Sequence, residues 1–562
     1  MTGTRIRARL AADPELGAGN VLPKLREHGA DPDGPGVTFD TDVSGHPAWT
    51  PLALGGLERL VAARAAWLHE HGVRPRDPVA VYVHSAGECL LSFLALCWLG
   101  AIPAVLNGNL PGEIAVTYLR RLRAVGVLTD QPRRDRLAGH DLALEHSGGG
   151  PLGEDGAGLV DVRETAAGDP ARAPAHYRHH ADDPVAVTHS SGTTRTPAAV
   201  VHSHASLFAA IRRVRLTEPR PSGPVRELSA LPAAHAAGII TLNQALCNRY
   251  ELLFLSAQGG EFGSSGAAIL DAIERWRPTG VFGFAVTWAE LARYDLTKRD
   301  LSSVRNWFNT GDSAHEAHIR RLVAAGSHQT ATANGLVTVP GSKFVDGIGS
   351  TEMGHSAFRI THRPGSSRYG RCVGKPYPFA EVVLLDPDLA GGTTEVPVGQ
   401  VGQVGLKSPT LAPGYWNDSL TTYRNRFSGY YLTGDLMYRD EEGYYYHVDR
   451  LVDAVDLGGG NWLYTAMSEE RILLRCPDVR DCTLVAGRVG GEVVTDVLLM
   501  LTAEADPGRD RTAVVREALG EPAAGTLRRV VVVPDGQVVV GPTGKVRKFL
   551  MRQRHLAGAG TA

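Results

Sequence analysis

Between Leu57 and Asp130 the chain alternates between helical and strand-like patterning, and this alternation restricts its fold more than any other feature. LERLVAARAAWLHEHG carries apolar residues at helical spacing and stops at Gly72, PVAVYVH is a short β-branched run, and an apolar helix then leads into AIPAVLN. AVTYLRRLRAVGVLTD repeats helix and then strand. Such alternation predicts an α/β fold whose mixed or mostly parallel sheets are covered on both faces by helices.

At 562 residues the chain exceeds what one hydrophobic core organises, so more than one domain is expected. The last hundred or so residues read as a separate α+β unit: short strands (CTLVAGRV, VVTDVLLMLTA, RRVVVVP) surround the helix TAVVREALG. A boundary at Arg450/Leu451 divides a large N-terminal domain, 1–450, from a small one, 451–562. The Gly-rich stretch HSGGGPLGEDGAG reads as a surface loop.

Bulk properties exclude some classes. With 58 basic and 60 acidic side chains the chain has no basic surplus to neutralise a nucleic-acid backbone, so no nucleic-acid partner is expected. The longest apolar run, Leu90–Leu106, is too short to span a bilayer and is broken by Ser92, Gly100 and Pro103. No membrane partner is expected. The N-terminus has no apolar core of a secretory signal, and the six cysteines form no zinc-like spacing, which together suggest reduced thiols in a cytoplasm.

The chemistry sits in five segments. VTHSSGTTRTPAAVVHSH runs from a strand into small hydroxylated residues and glycine, a loop that lets backbone N–H groups approach phosphate oxygens. Alone it would equally be a Ser/Thr-rich turn, and no Walker A loop is present. VDGIGSTEMG, YYLTGDL, HVDRLVDAVDLGGGNW and GPTGKVRKFL follow in that order. With this set the chain resembles the superfamily of acyl-CoA synthetases, adenylation domains and luciferases, which form adenylates, from Leu57 to Lys548.

The resemblance implies ATP and Mg2+ as cofactors and assigns roles. Ser190, Ser191, Gly192, Thr193, Thr194 and Arg195 would grip the phosphates, although Arg195 stands where the pattern has glycine, and Ala198 and Ala199 where it has lysine and glycine. Thr351 would lie near the α-phosphate and Glu352 would hold the metal. Gly311, Asp312 and Ile348 would form the adenine slot, Asp435 would hold the ribose hydroxyls beside Arg450, and Asp453 would be the hinge about which a mobile C-terminal domain turns. Lys545, presented by Pro542, Thr543 and Gly544, would bind the reacting carboxylate and phosphate. Asp449 departs from the usual glycine before the arginine, and Asp456 and Gly460 depart in the segment that would line a thiol channel.

His235 matches the histidine that borders the acyl site. The substrate pocket would be lined from 281–288 and 334–340, with Phe282, Phe284, Trp288 and Gly347 accepting an aromatic small molecule. Three readings follow. The leading one is a ligase of secondary metabolism that activates an aryl or acyl acid as its adenylate and passes it to coenzyme A or a carrier protein. The second is a diazotase of the same superfamily, which adenylates nitrite for attack by an aromatic amine. The third is a catalytically silent binding protein. The few residues after Lys545 leave no room for a carrier domain, so a stand-alone enzyme is expected.

Overall fold

The computed structural model describes residues 3–145, 152, 158–190, 197–219, 221, 223–256, 259–260, 263–332, 335–534, 536–540 and 546–556. The alternation read from 57–130 appears as helix Leu54–Glu70, strand Pro78–Val83, helix Ala86–Leu99, strand Ile102–Asn107, helix Gly112–Leu122 and strand Gly126–Thr129. The three strands pair in parallel. Helix Ala86–Leu99 starts where the Ser85 hydroxyl accepts from the Glu88 N–H at 3.3 Å, and it stops at Gly100, whose φ of 73° closes the last turn.

These strands belong to a seven-stranded sheet, parallel except for Ala199–Ser203, which pairs antiparallel with both its neighbours, Pro184–His189 and the edge strand Gly414–Tyr415. A second, larger sheet runs parallel through Pro35–Phe39, Glu251–Phe254, Arg226–Ser229, Gly280–Phe284, Asn306–Thr310 and Lys343–Asp346, then turns antiparallel from Phe358–His362 onward. One hydrophobic core joins the two: Val79, Val81 and Val105 of the first sheet and Phe39, Leu252 and Phe254 of the second pack on helices Leu54–Glu70, Ala86–Leu99 and Ala236–Asn248. Apolar strands buried on both faces follow from that layering.

The smaller C-terminal domain has its own three-stranded sheet. Val479–Val489 pairs antiparallel with Glu492–Leu501, which pairs parallel with Leu527–Val532. Helices Thr465–Arg475 and Thr512–Leu519 cover it around Leu484, Val497, Leu499 and Val515. It meets the large domain at helix Glu316–Ala324, where Glu470 accepts from the Glu316 N–H at 2.9 Å and faces His315, and where His318 bonds the Arg480 carbonyl at 3.0 Å. No helix among the described residues is long and apolar enough to cross a membrane.

Candidate active site

Ligands of open parallel sheets bind beyond the carboxyl ends of the strands, and those ends here are Phe284, Thr310 and Asp346. His189 ends the neighbouring strand Pro184–His189 and leads into the predicted phosphate loop. Ser191, Gly192, Thr193, Thr194 and Arg195 lie outside the described residues. The loop's base is closed by two bonds between its flanks: the Ser190 N–H donates to the Ala198 carbonyl, and the Ala198 N–H to Ser190 Oγ, both at 2.9 Å. His189 fixes that base further. Its Nε2 accepts from the Asn107 N–H at 3.1 Å, which leaves the proton on Nδ1 to meet the Ser190 carbonyl at 3.0 Å.

Thr351 is buried between the two sheets, with Oγ1 3.5 Å from the His189 carbonyl and 3.3 Å from His235 Nε2. His235 caps helix Ala236–Asn248: its Nδ1 accepts from the Ala237 N–H at 3.1 Å, so Nε2 carries the proton and donates to Thr351 Oγ1. The Thr351 hydroxyl hydrogen is thereby directed to the His189 carbonyl. Glu352 is partly exposed next door, with Oε1 accepting from the Tyr415 hydroxyl at 3.1 Å, and Tyr415 is held in turn by Asn425 at 3.0 Å. A single oriented carboxylate fits Mg2+, which takes one or two protein carboxylates and completes its shell with phosphate and water oxygens. No cluster of three ligating side chains occurs among the described residues.

Asp435 lies in a buried bend of strand Tyr430–Arg439 and is paired across the ladder with Arg450. Arg450 Nε stands 3.2 Å from Asp435 Oδ1, and the carboxylate holds the guanidinium's proton more firmly than usual. His447 Nε2 is 3.7 Å from the same oxygen. Burial and then Arg371 push His447 down to about 4, so it is neutral. Because Arg371 donates to its Nδ1 at 2.8 Å, its proton sits on Nε2 and points at Asp435. Arg371 also approaches Asp312 at 3.9 Å. Gly311, at φ 85°, accepts from the Gly349 N–H at 2.8 Å and abuts Phe284, so a Cβ there would meet that ring at 3.1 Å. The Ile348 side chain is buried in a core with Met353 and Phe358.

Next to these groups is an apolar pocket between helix Ala236–Asn248 and the strand ends, lined by Phe282, Phe308 and Gly347 among others. Gly347 has no room for a side chain, since a Cβ would lie 2.6 Å from the Phe358 carbonyl. Phe284 packs edge-on to His235 at 5.1 Å between ring centroids. Trp288 does not line the pocket. It is fully buried in the core, and its indole N–H donates to Asn309 at 2.7 Å. Strand Gly335–Pro340 pairs with Ser327–Thr332 instead of bordering the pocket.

Sequence patterns missed Asp346, the buried carboxylate of this pocket, which accepts from Asn309 Nδ2 at 2.6 Å and from the Gly347 N–H at 2.9 Å. Burial outweighs those bonds and pushes it up to about 7. A carboxyl raised on folding binds more protons in the native state, so its contribution to stability falls as pH rises from about 4 towards 7. Asp346→Asn is therefore expected to lose that part of the pH dependence: thermal melts from pH 4.5 to 7.5 should rise with pH in the variant relative to the wild type. Parallel curves would refute the assignment.

At the predicted hinge, Asp453 Oδ1 accepts from Arg552 at 2.9 Å, and Arg552 also reaches the carbonyls of Val452 and Ala486. Asp449 accepts from the N–H and hydroxyl of Thr465, tying the last strand of the large domain to the first helix beyond the hinge. Burial pushes Asp449 up to about 6. Lys545 lies outside the described residues, as do Pro542, Thr543 and Gly544. Val540 and Val546 on either side of them form an antiparallel bridge. Lys548 is internal, with Nζ 2.6 Å from Thr465 Oγ1 and 2.8 Å from Glu469.

A family model described as AMP-binding enzyme matches residues 47–416. The chain is 43% identical to a 3-aminoavenalumate diazotase from a Streptomyces species over 98% of both chains. It is 27% identical to an anthranilate–CoA ligase of Pseudomonas aeruginosa over 74% of each. Its fold is similar to that of a solved anthranilate CoA ligase in complex with anthranoyl-AMP, at a TM-score of 0.78, 22% identity and coverage of 98% and 99% of the two chains. The chain belongs to the AMP-binding enzyme family and is an ATP-dependent, adenylate-forming enzyme that acts on a small molecule.

Proposed function

We propose that the enzyme is a diazotase: it activates nitrite with ATP and couples the activated nitrite to an aromatic amine. The observation that carries this reading is the 43% identity to a diazotase over 98% of both chains, against 27% over 74% for the anthranilate–CoA ligase. The altered loop, with Arg195, Ala198 and Ala199, fits specialised chemistry. Nitrite is small enough to meet the α-phosphate beside Thr351 while the aryl amine occupies the pocket.

In the first step a nitrite oxygen attacks the α-phosphorus in line and pyrophosphate leaves. His235 orients the Thr351 hydroxyl so that it can donate to the oxygens gathering charge there, and Asp435 fixes the nucleotide through its ribose. Lys545 supplies a cation to the same centre. In the second step the amine nitrogen forms a bond to the nitrosyl nitrogen, the N–O bond to AMP breaks, and the pair leaves with AMP. Loss of the amine's proton gives a nitrosamine, and protonation with loss of water gives the diazonium ion. Mg2+, held by Glu352 and the phosphates, would offset phosphate charge.

The division at residue 450, the turning of the small domain about Asp453 and a cytoplasmic location for the six buried thiols belong to this proposal. The second reading is an aryl-acid ligase that passes its adenylate to coenzyme A or a carrier protein. It is favoured by the pocket's apolar lining and by the aryl-CoA ligases among the relatives. One assay separates them. Pyrophosphate release from MgATP with an aminoaryl acid is expected to require nitrite and to be indifferent to coenzyme A. Release driven by the acid alone, followed by a thioester, would replace the diazotase with the ligase.

A further inference from the structure

The pocket has a direction. His235 caps helix Ala236–Asn248 beside Thr351, and Ala237, Thr241 and Gln244 follow along the pocket. At 1.5 Å of rise per residue, Gln244 lies about 13 Å along the axis from the reacting end. Strand Asn306–Thr310 runs the opposite way, with its carboxyl end Thr310 towards the reacting end. Phe308 sits about 7 Å back from Thr310, and Arg215 lies over its ring, 5.8 Å from the centroid.

That far end is charged. Arg215 closes Ile211–Arg215, a short π-helix, which is a widened turn that recurs at functional sites. Its side chain is 18% exposed and lines the pocket, and its Nε is buried without a hydrogen-bond partner among the described residues. Glu218 is 3.5 Å from Arg215 but 2.5 Å from Arg359, so two guanidinium groups share one carboxylate. Glu227, in reach of Gln244 at 3.4 Å, is pushed up to about 7 by burial, and His355 is pushed down to about 4 by burial and then by Arg215. Arg215 and Arg359 thus bring two guanidinium groups to the single Glu218 carboxylate at this end of an otherwise apolar pocket. A buried guanidinium with an unfilled donor and only a share of one carboxylate is costly, and an anionic ligand relieves it.

We infer that Arg215 anchors the carboxylate of an aminoaryl acid, so that the ring spans the pocket and the amine faces Thr351 and His235. The inference rests on the diazotase reading and gives its substrate class: an aromatic amine with an acid group at the opposite end of the molecule. Held this way, the carboxylate is turned away from the α-phosphate, and the amine is the group that reacts.

Calorimetric binding of 3-aminocinnamic acid and of its primary amide to the AMP-saturated protein tests this. Arg215→Gln is expected to weaken the acid 10- to 100-fold, the loss of a charge-assisted pair, and the amide less than about threefold on the same reasoning. Arg215→Lys is expected to keep the acid within about tenfold, because it keeps the charge while losing the fork. Equal losses for acid and amide, no loss for either, or no acid binding by the wild type would overturn the anchor. Melting temperatures close to wild type verify that the variants fold. Product analysis with MgATP and nitrite decides the diazotase reading separately: a diazonium product upholds it and an acyl adenylate removes it, whichever way the binding experiment falls.

Discussion

Lys545→Ala is expected to slow pyrophosphate release from MgATP and nitrite by 10²- to 10³-fold, with the KM for ATP changed less than about fivefold. Removing one preorganised donor from a site where charge develops in the transition state costs about 2.7–4 kcal/mol, and that loss appears in kcat because the interaction strengthens only as the phosphorus becomes five-coordinate. The chain flanking Lys545 is held in place by its own bonds. Val540 bridges Val546, the Arg547 N–H donates to the Val539 carbonyl at 2.7 Å, and the helix that follows is fastened to Asp453 through Arg552. Lys548→Ala is the informative control. Its ammonium is held by Glu469 and Asp449 against the cost of burial, and it bonds Thr465, so its loss should lower the melting temperature of the small domain. If the two variants lose activity alike while only melting differs, Lys545 is not the transition-state cation. If Lys545→Ala raises KM and leaves kcat alone, the lysine binds nucleotide without assisting the chemistry.

The alternating segment at 57–130 was legible because each element carries its own period and its own stop, as Gly72 and Gly100 illustrate. The order of five short motifs was legible for a different reason: each is a contiguous loop whose small residues have few other uses. What could not be read is what depends on register between distant strands. Arg371 reaches His447, and His447 faces Asp435, only because Cys372–Pro376 lies beside Tyr445–Arg450 and that strand beside Tyr430–Arg439. Asp346 and Arg215 are single charged residues in unremarkable surroundings, and burial alone makes them part of the site. Trp288 illustrates the converse. A bulky aromatic six residues after pocket-lining Phe282 reads the same in sequence whether it faces the pocket or the core, and here the helix turns it to Asn309 and the core.

That register-dependent assembly around Asp435 leads to the second large effect. Asp435→Asn is expected to raise the KM for ATP by about 10²- to 10⁴-fold, since each charge-assisted hydrogen bond to a ribose hydroxyl is worth about 1.5–3 kcal/mol and two are lost. The substitution keeps the shape of the side chain while removing the charge that Arg450 and the His447 N–H are arranged around. Arg450 is 43% exposed at its side chain and keeps its bond to the Thr433 carbonyl at 3.4 Å, so the fold should survive even though the Nε facing Asp435 is buried. The diol supplies the discriminating measurement. If Asp435 grips both hydroxyls, the wild type prefers ATP over 2′-deoxy-ATP by at least about tenfold and the variant loses most of that preference. An unchanged preference with a raised KM would mean that Asp435 acts by holding Arg450 in place. The variant Arg450→Gln, which leaves Asp435 intact, would then have to reproduce the whole defect.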